Sequence, residues 1–484
     1  MRLLPAKWGT VQSQRQVWFR DCNGSDVADY ELQNVDLSGG VLVLRKWTQN
    51  DFNNANFLSL STLLSQSAAK LQTVKVEGVS QSSPEYLAFL IAACTKAHEV
   101  QLKSCTLSDT VCTCLMSSMM NSYGIKELTI SFRTRMASAN QARLLFQGVA
   151  LSTSIQKLDL FFDFEDMEDS GIALVQAFET NQSLTSFSLY SRSLNSDFIL
   201  ESIIRAAVNN VTLETLTINA PHSIRHGTRR LSLSALHECL CRDDCSVQEL
   251  TLESILLDGD MGDNSILQNS SLKAMKLRGR ANVTCSQVVK FAKSFTCLEN
   301  LDIDFEPYSD LTSLGELLLG EGSTLQSLKL FVQPKAGMDE NWQEFFQKLP
   351  KMKSLRNLDL PREVVRSEAC RSALLNAMWL NSSIENMNLL KNLGRVSPWS
   401  DAEDETFAEF FCQISHLFSV NRGGRRYLQN KPSEQPLPQN LWPLVLQRAM
   451  GIDYISDYHK SKYPKLQSLE FDAIYWLLRE KLFT

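Results

Sequence analysis

The chain has 484 residues, 44% hydrophobic and 21% charged, with a net charge of −6. Such apolar content excludes a disordered chain, and the small acidic charge argues against non-specific nucleic-acid binding. The length exceeds one ordinary globular core, so several domains or a repeat array are expected.

The N-terminus, MRLLPAKWGTVQSQRQVWFRD, lacks the apolar centre of a secretory signal. Arg2, Lys7, Arg15 and Arg20 precede the first acid, Asp21, as in organelle transit peptides, but a cytoplasmic chain is the preferred reading. The twelve cysteines are scattered, several beside bulky apolar residues (Cys94, Cys112, Cys114, Cys412). That usage fits reduced thiols in a cytoplasmic protein, and a nuclear location is compatible with it. No apolar run approaches the ~18–20 residues of a membrane span. Within residues 1–61, LQNVDL (Leu32–Leu37) and VLVLRKW (Val41–Trp47) read as strands. This stretch is expected to be an N-terminal cap, with room for one degenerate repeat.

Residues 62–395 carry a recurring motif, L-x-x-L-x-L, in twelve copies 25–34 residues apart. They are LQTVKV at Leu71, AHEVQL at Ala97, IKELTI at Ile125, IQKLDL at Ile155, LTSFSL at Leu184 and LETLTI at Leu213. The series continues with VQELTL at Val247, LKAMKL at Leu272, LENLDI at Leu298, LQSLKL at Leu325, LRNLDL at Leu355 and IENMNL at Ile384. Between copies, segments such as ARLLFQGVALS (Ala142–Ser152), FILESIIRAAVNN (Phe198–Asn210) and ENWQEFFQKL (Glu340–Leu349) space apolar residues as a helix does. A strand, a loop, a helix and a return loop cannot bury an apolar face alone, whereas stacked copies bury a continuous core.

The motif and its spacing resemble the ribonuclease-inhibitor-like class of leucine-rich repeats, over about Leu71–Leu390. The resemblance implies an α/β right-handed solenoid, with a parallel sheet on the concave face and helices on the convex face. AHEVQLKSCTL places Cys105 and Leu107 where the class has Cys or Asn and then Leu; Asp163, Arg192 and Pro221 depart from it. Asn181, Asn210, Asn269 and Asn381 each stand three residues before a leading Leu or Ile and read as left-handed helix-to-strand corners. Each also begins an N-x-S/T triplet, but the repeat accounts for their phase and glycosylation is disfavoured.

After the last motif, residues 396–484 read as a helical C-terminal cap. FAEFFCQISHLFSVNRGG (Phe407–Gly424) is a helix with Asn421 and two glycines as stop residues, and no motif follows it. The block NRGGRRYL…LPQNLWPLVLQRA resembles the closing segment of intracellular repeat proteins from microbial eukaryotes. Trp442 and Trp476 are expected to seal the final repeat.

Candidate chemistry is sparse. HECLCRDDC (His237–Cys245) gathers potential metal ligands, but residues two apart on a helix diverge, so no metal is predicted. PHSIRHGTRR (Pro221–Arg230) reads as a solvated insertion, with Arg225, Arg229 and Arg230 able to grip an anion. Arg422, Arg425 and Arg426 form a second basic cluster with possible anion contacts. The acids of Phe164–Ser170 and Glu306–Asp310 read as helix capping. No hydrolase elbow, kinase set or dinucleotide fingerprint occurs, so neither an enzyme nor a cofactor is predicted.

The strand positions that alternate with the core are more informative. One row includes Asp159, Ser188, Thr217, Thr251, Lys276, Asp302 and Lys329; the next includes Phe161, Tyr190, Asn219, Glu253, Arg278, Asp304 and Phe331. These rows are expected to line the groove. Phe161 and Tyr190 fall at equivalent places in adjacent copies, about one strand spacing (~5 Å) apart. Either they form an exposed aromatic anchor of the kind interfaces use, or the chain itself covers them. The preferred function is a non-enzymatic intracellular scaffold, monomeric in isolation, that binds another protein across this surface and neither nucleic acid nor membrane. One alternative, by fold analogy with Ran-GTPase-activating proteins, is a regulator of a small GTPase. Another is the substrate-recognition subunit of a ubiquitin ligase. A sensor domain is a further reading, lowered by the lack of an attached signalling module.

Overall fold

Alternating apolar and polar side chains give a strand one face to bury and one to leave open. In the computed structural model the described motifs do this, except that in LRNLDL the outward Asp359 is buried as well. The structure describes residues 15–17, 32–35, 41–45, 72–77, 84–93, 97–121, 124–131, 135–136, 138–161, 167–192, 194, 196–221, 230–259, 268–279, 284–304, 311–319, 323–331, 338–390, 410, 413–414, 417–418 and 421. The chain divides into two compact bodies, Met1–Asp258 and Gly259–Thr484, and the division falls inside the repeats.

The first body holds a parallel sheet of β1 (Val41–Arg45), β2 (Thr73–Glu77), β3 (Glu99–Lys103), β4 (Glu127–Ser131), β5 (Lys157–Phe161), β6 (Ser186–Tyr190), β7 (Thr215–Asn219) and β8 (Glu249–Glu253), paired in that order. The second holds β9 (Ala274–Arg278), β10 (Asn300–Ile303), β11 (Ser327–Leu330), β12 (Asn357–Pro361) and β13 (Asn386–Leu390), again parallel and sequential. The N-terminal expectations split. The VLVLRKW strand joins the sheet as β1, whereas Leu32–Val35 pairs antiparallel with Arg15–Val17 rather than entering the repeat.

Helices follow the strands: α1 (Pro84–Ala93), α2 (Asp109–Met120), α3 (Ala139–Leu151), α4 (Met167–Thr180), α5 (Asp197–Asn209) and α6 (Leu233–Leu240) in the first body. The second has α7 (Cys285–Lys293), α8 (Thr312–Leu319), α9 (Asp339–Lys348) and α10 (Glu368–Leu380). Caps set their starts: the hydroxyls of Ser108 and Ser196 accept the amides of Val111 and Ile199, each at 3.3 Å, and Thr284 closes a capping box with Gln287. The helices cover the apolar face of the sheet. Phe178 of α4 meets Phe187 of β6 edge to face, with centroids 4.8 Å apart. Leu158, Leu160, Leu216 and Ile218 are fully buried, so truncating any one to Ala should cost about 2–5 kcal/mol. At Gly148 a Cβ would stand 2.7 Å from Met116 Cα, so α3 approaches α2 too closely for a larger residue. No helix among the described residues is long and apolar enough to cross a membrane.

The corner before each strand corrects one expectation. Asn210 (φ −74, ψ 119) and Asn381 (φ −87, ψ 128) are extended, not left-handed. Their value lies in the side chain. Asn181 Nδ2 donates to the Val149 and Ser152 carbonyls of the preceding repeat (2.6 and 2.9 Å), while its Oδ1 accepts the amides of Ser183 and Leu184 (2.9 and 2.7 Å). Asn381 repeats all four bonds one body on, to Leu349, Met352, Ser383 and Ile384. The hydroxyl of the triplet is also used: Ser183 donates to Ile155 O at 2.8 Å and Thr212 to Leu184 O at 2.9 Å. The N-x-S/T triplet is therefore a staple between consecutive repeats, and its asparagine amides are buried away from any glycan.

The staple also runs past the last motif. Asn421 Nδ2 donates to Asn381 O and Ile384 O (3.0 and 2.8 Å), so Asn421 takes the corner place of a further repeat rather than acting only as a stop residue. Phe410, Ile414, Leu417 and Phe418 are buried accordingly. The non-glycine residues with positive φ among those described are Ser104 (54°) and Ser254 (61°). Each precedes a buried residue, Cys105 or Ile255, and then a short strand. Cys105 thus occupies its expected buried place, and Ile255 takes the same place without the thiol. Arg192 is exposed and Pro221 half-buried, while Phe162, Asp163 and most of the two caps, with Trp442 and Trp476, lie outside the described residues.

Candidate functional site

The open face of the sheet carries the predicted rows. In the first body β5 and β6 run in register, so Asp159 lies beside Ser188 and Phe161 beside Tyr190. The next strands place Thr217 and Asn219, then Thr251 and Glu253, in the same two rows. The rings of Phe161 and Tyr190 stack with centroids 6.0 Å apart and planes 26° from parallel. Phe161 is 36% exposed and Tyr190 half-buried, so the chain leaves the first ring open and covers the second in part. Beside them Asn219 donates to Glu253 at 2.8 Å. Asp159 receives two long contacts, both on Oδ2: Lys157 Nζ and Thr129 Oγ1, each at 3.4 Å.

In the second body the same rows pair internally. Lys276, Asp302 and Lys329 stand side by side, followed by Asp359. Lys329 Nζ reaches Asp359 at 2.9 Å, and Asp359 is buried. Arg278 grips Asp302 with two bonds (3.1 and 2.6 Å), and its guanidinium carbon sits 3.8 Å above the Phe331 ring. Asp304, beside Arg278 and Phe331 in the outer row, is half-buried. Sequence reasoning placed these residues on one face but missed their pairing. The alternation Lys276, Asp302, Lys329, Asp359 across in-register strands was the available signal.

Elsewhere the side chains are committed. His237, Cys239, Cys241 and Cys245 are buried. Burial pushes the Cys241 thiol up to about 11 and raises Cys239, while it lowers His237, so all three stay neutral near pH 7. Burial, reinforced by Asp109, takes Cys112 up to about 12. No three His, Cys, Asp or Glu side chains among the described residues gather as metal ligands. Arg230 pairs with Asp258 at 3.1 Å. Glu168 and Asp169 occupy the first turn of α4, as capping requires. Arg225, Arg229, Arg422, Arg425 and Arg426, and the acids of 164–166 and 306–310, lie outside the described residues.

No family model matches the chain, and no curated protein matches it at a significant level.

Proposed function

We propose that the chain is a leucine-rich-repeat solenoid of the ribonuclease-inhibitor type, and that it serves as a non-enzymatic cytoplasmic scaffold binding another protein across its concave sheet. The carrying observation is the stacked Phe161–Tyr190 pair, Phe161 exposed and Tyr190 half-buried, on paired strands rather than on a loop. Aromatic rings fixed by a sheet lose little conformational freedom on binding and desolvate a large apolar area, which is how interface anchors act. The surrounding Ser188, Thr217 and Thr251 supply short hydroxyls that suit a polar rim.

The test is affinity capture with the full chain, followed by titration of the purified captured protein against wild type and Phe161→Ala/Tyr190→Ala. Two anchor residues should together weaken binding about 100-fold or more. Equal affinity for both proteins rejects the reading. Acceleration of GTP hydrolysis by a small GTPase, unchanged in the double variant, would replace it with the regulator reading. Ubiquitination of the captured protein would narrow the scaffold to a ligase subunit.

A further inference from the structure

The two bodies contain the same three strand positions filled in two ways. In the second body Arg278 ends β9, Asp302 lies mid-strand in β10, and Phe331 follows β11. Arg278 crosses from its own strand, is held by both Asp302 oxygens, and ends over the Phe331 ring. In the first body the equivalent places, three strands in the same order, are Ser131 ending β4, Asp159 in β5 and Tyr190 ending β6. The carboxylate and the aromatic ring are kept. The arginine is replaced by serine, whose side chain cannot span the two strand spacings, about 10 Å, to Tyr190. At the fourth place, where the second body has Asp304, the first has Phe161, which stacks on Tyr190.

We propose that this place is filled by an arginine side chain of the partner protein, which lies on the Phe161–Tyr190 step and pairs with Asp159. The inference rests on the protein-binding reading above and deepens it by naming the chemistry of the anchor. The charges around the step agree. Across β4–β8 the open face carries Glu127, Asp159, Glu249 and Glu253 against Lys157, with Arg192 beyond the end of β6. Arginine is selected over lysine because a planar guanidinium both stacks on a ring and presents two parallel donors to a carboxylate. The existing contacts to Asp159, both at 3.4 Å and both on Oδ2, leave that geometry within reach. The partner is therefore a protein whose docking segment is basic and carries an exposed arginine.

The experiment is a selection of displayed random twelve-residue peptides on the full-length protein, with the enriched peptides synthesised and titrated. The expected result is arginine-bearing peptides that lose about tenfold or more in affinity when that arginine becomes lysine. Asp159→Asn should weaken them by a similar factor. Ser131→Arg should block them, because it rebuilds the second body's arrangement from within; an unchanged thermal melt shows that the variant folds. Peptides that require Phe161 and Tyr190 but bind equally with lysine overturn the arginine inference and leave the scaffold reading standing. Peptides indifferent to Phe161 and Tyr190, or no enrichment of arginine at all, overturn the inference.

Discussion

The two bodies are built alike inside and differ on the open faces of their sheets. In both, Asn and Ser or Thr side chains staple repeats to the ones before them, with Asn181 and Asn381 making the same four bonds. On the open face, the second body satisfies its own charges through Arg278–Asp302 and Lys329–Asp359. The first also pairs Lys103 with Glu77 at 2.9 Å on β3 and β2, but on β5 and β6 it places a stacked aromatic pair among hydroxyls and acids. A repeat fold thus separates two demands. The corners answer to the stacking of the repeats, while the outward rows are free to be either closed by internal pairs or left open for a partner.

The comparison can be strained from the inside first. Asn210→Ala and Asn381→Ala should destabilise to a similar degree, about 2–4 kcal/mol by chemical denaturation, because each leaves buried backbone groups unpaired. A large difference between them would mean that the corners are not equivalent. Alkaline titration tests the shared interior next. Cys112 and Cys241 in the first body and Cys370 in the second are raised to about 12, 11 and 11. Their folded values lie above the unfolded one, so the stability they contribute is present below about pH 9 and is lost as pH rises through 11 to 12. Denaturation midpoints should hold from pH 8 to about 9 and fall from there to pH 11.

The faces should then diverge. Asp302→Ala removes both partners' bonds at a half-buried Arg278 and should cost about 1–3 kcal/mol. Asp159→Ala, at the matching place, should cost less than about 0.5 kcal/mol, since its contacts are long and single. Equal losses would erase the distinction between a closed and an open face. The smallest expected effect is that of salt: raising it from about 0.05 to 1 M should lower the stability of wild type by a few tenths of a kcal/mol and that of Asp302→Ala by less.

Much of this was legible in the sequence, for reasons that separate cleanly. A motif with apolar residues two apart can only bury one face, so L-x-x-L-x-L located the strands and their register, and Phe161 and Tyr190 fell together on the open face. Helices such as α5 and α9 followed from their spacing to within a residue or two at each end. The asparagine corners were located but misread. Their phase was visible, whereas their role depends on carbonyls of the previous repeat, some 30 residues away, which no local rule supplies. The hydroxyl that precedes many of the leading residues was missed for the same reason, although Ser183, Thr212 and Ser383 stand in a regular series. Asn421 was read as a terminator because Asn and the following glycines end helices, yet its amide looks backwards to Asn381 and Ile384. The Arg278–Asp302–Phe331 arrangement joins three strands, so it could be found only by laying neighbouring repeats side by side.

The central claim, that the first body's face is the one open to a partner, is tested most directly by site-specific photocrosslinking in cells. Benzoylphenylalanine is introduced in place of Thr217 on the first face and, separately, in place of Lys329 on the second. The account predicts a discrete crosslinked protein at Thr217 that disappears when Phe161→Ser and Tyr190→Ser are added, with little at Lys329. Equal crosslinking at both places, or a Thr217 product that survives the two substitutions, would contradict it.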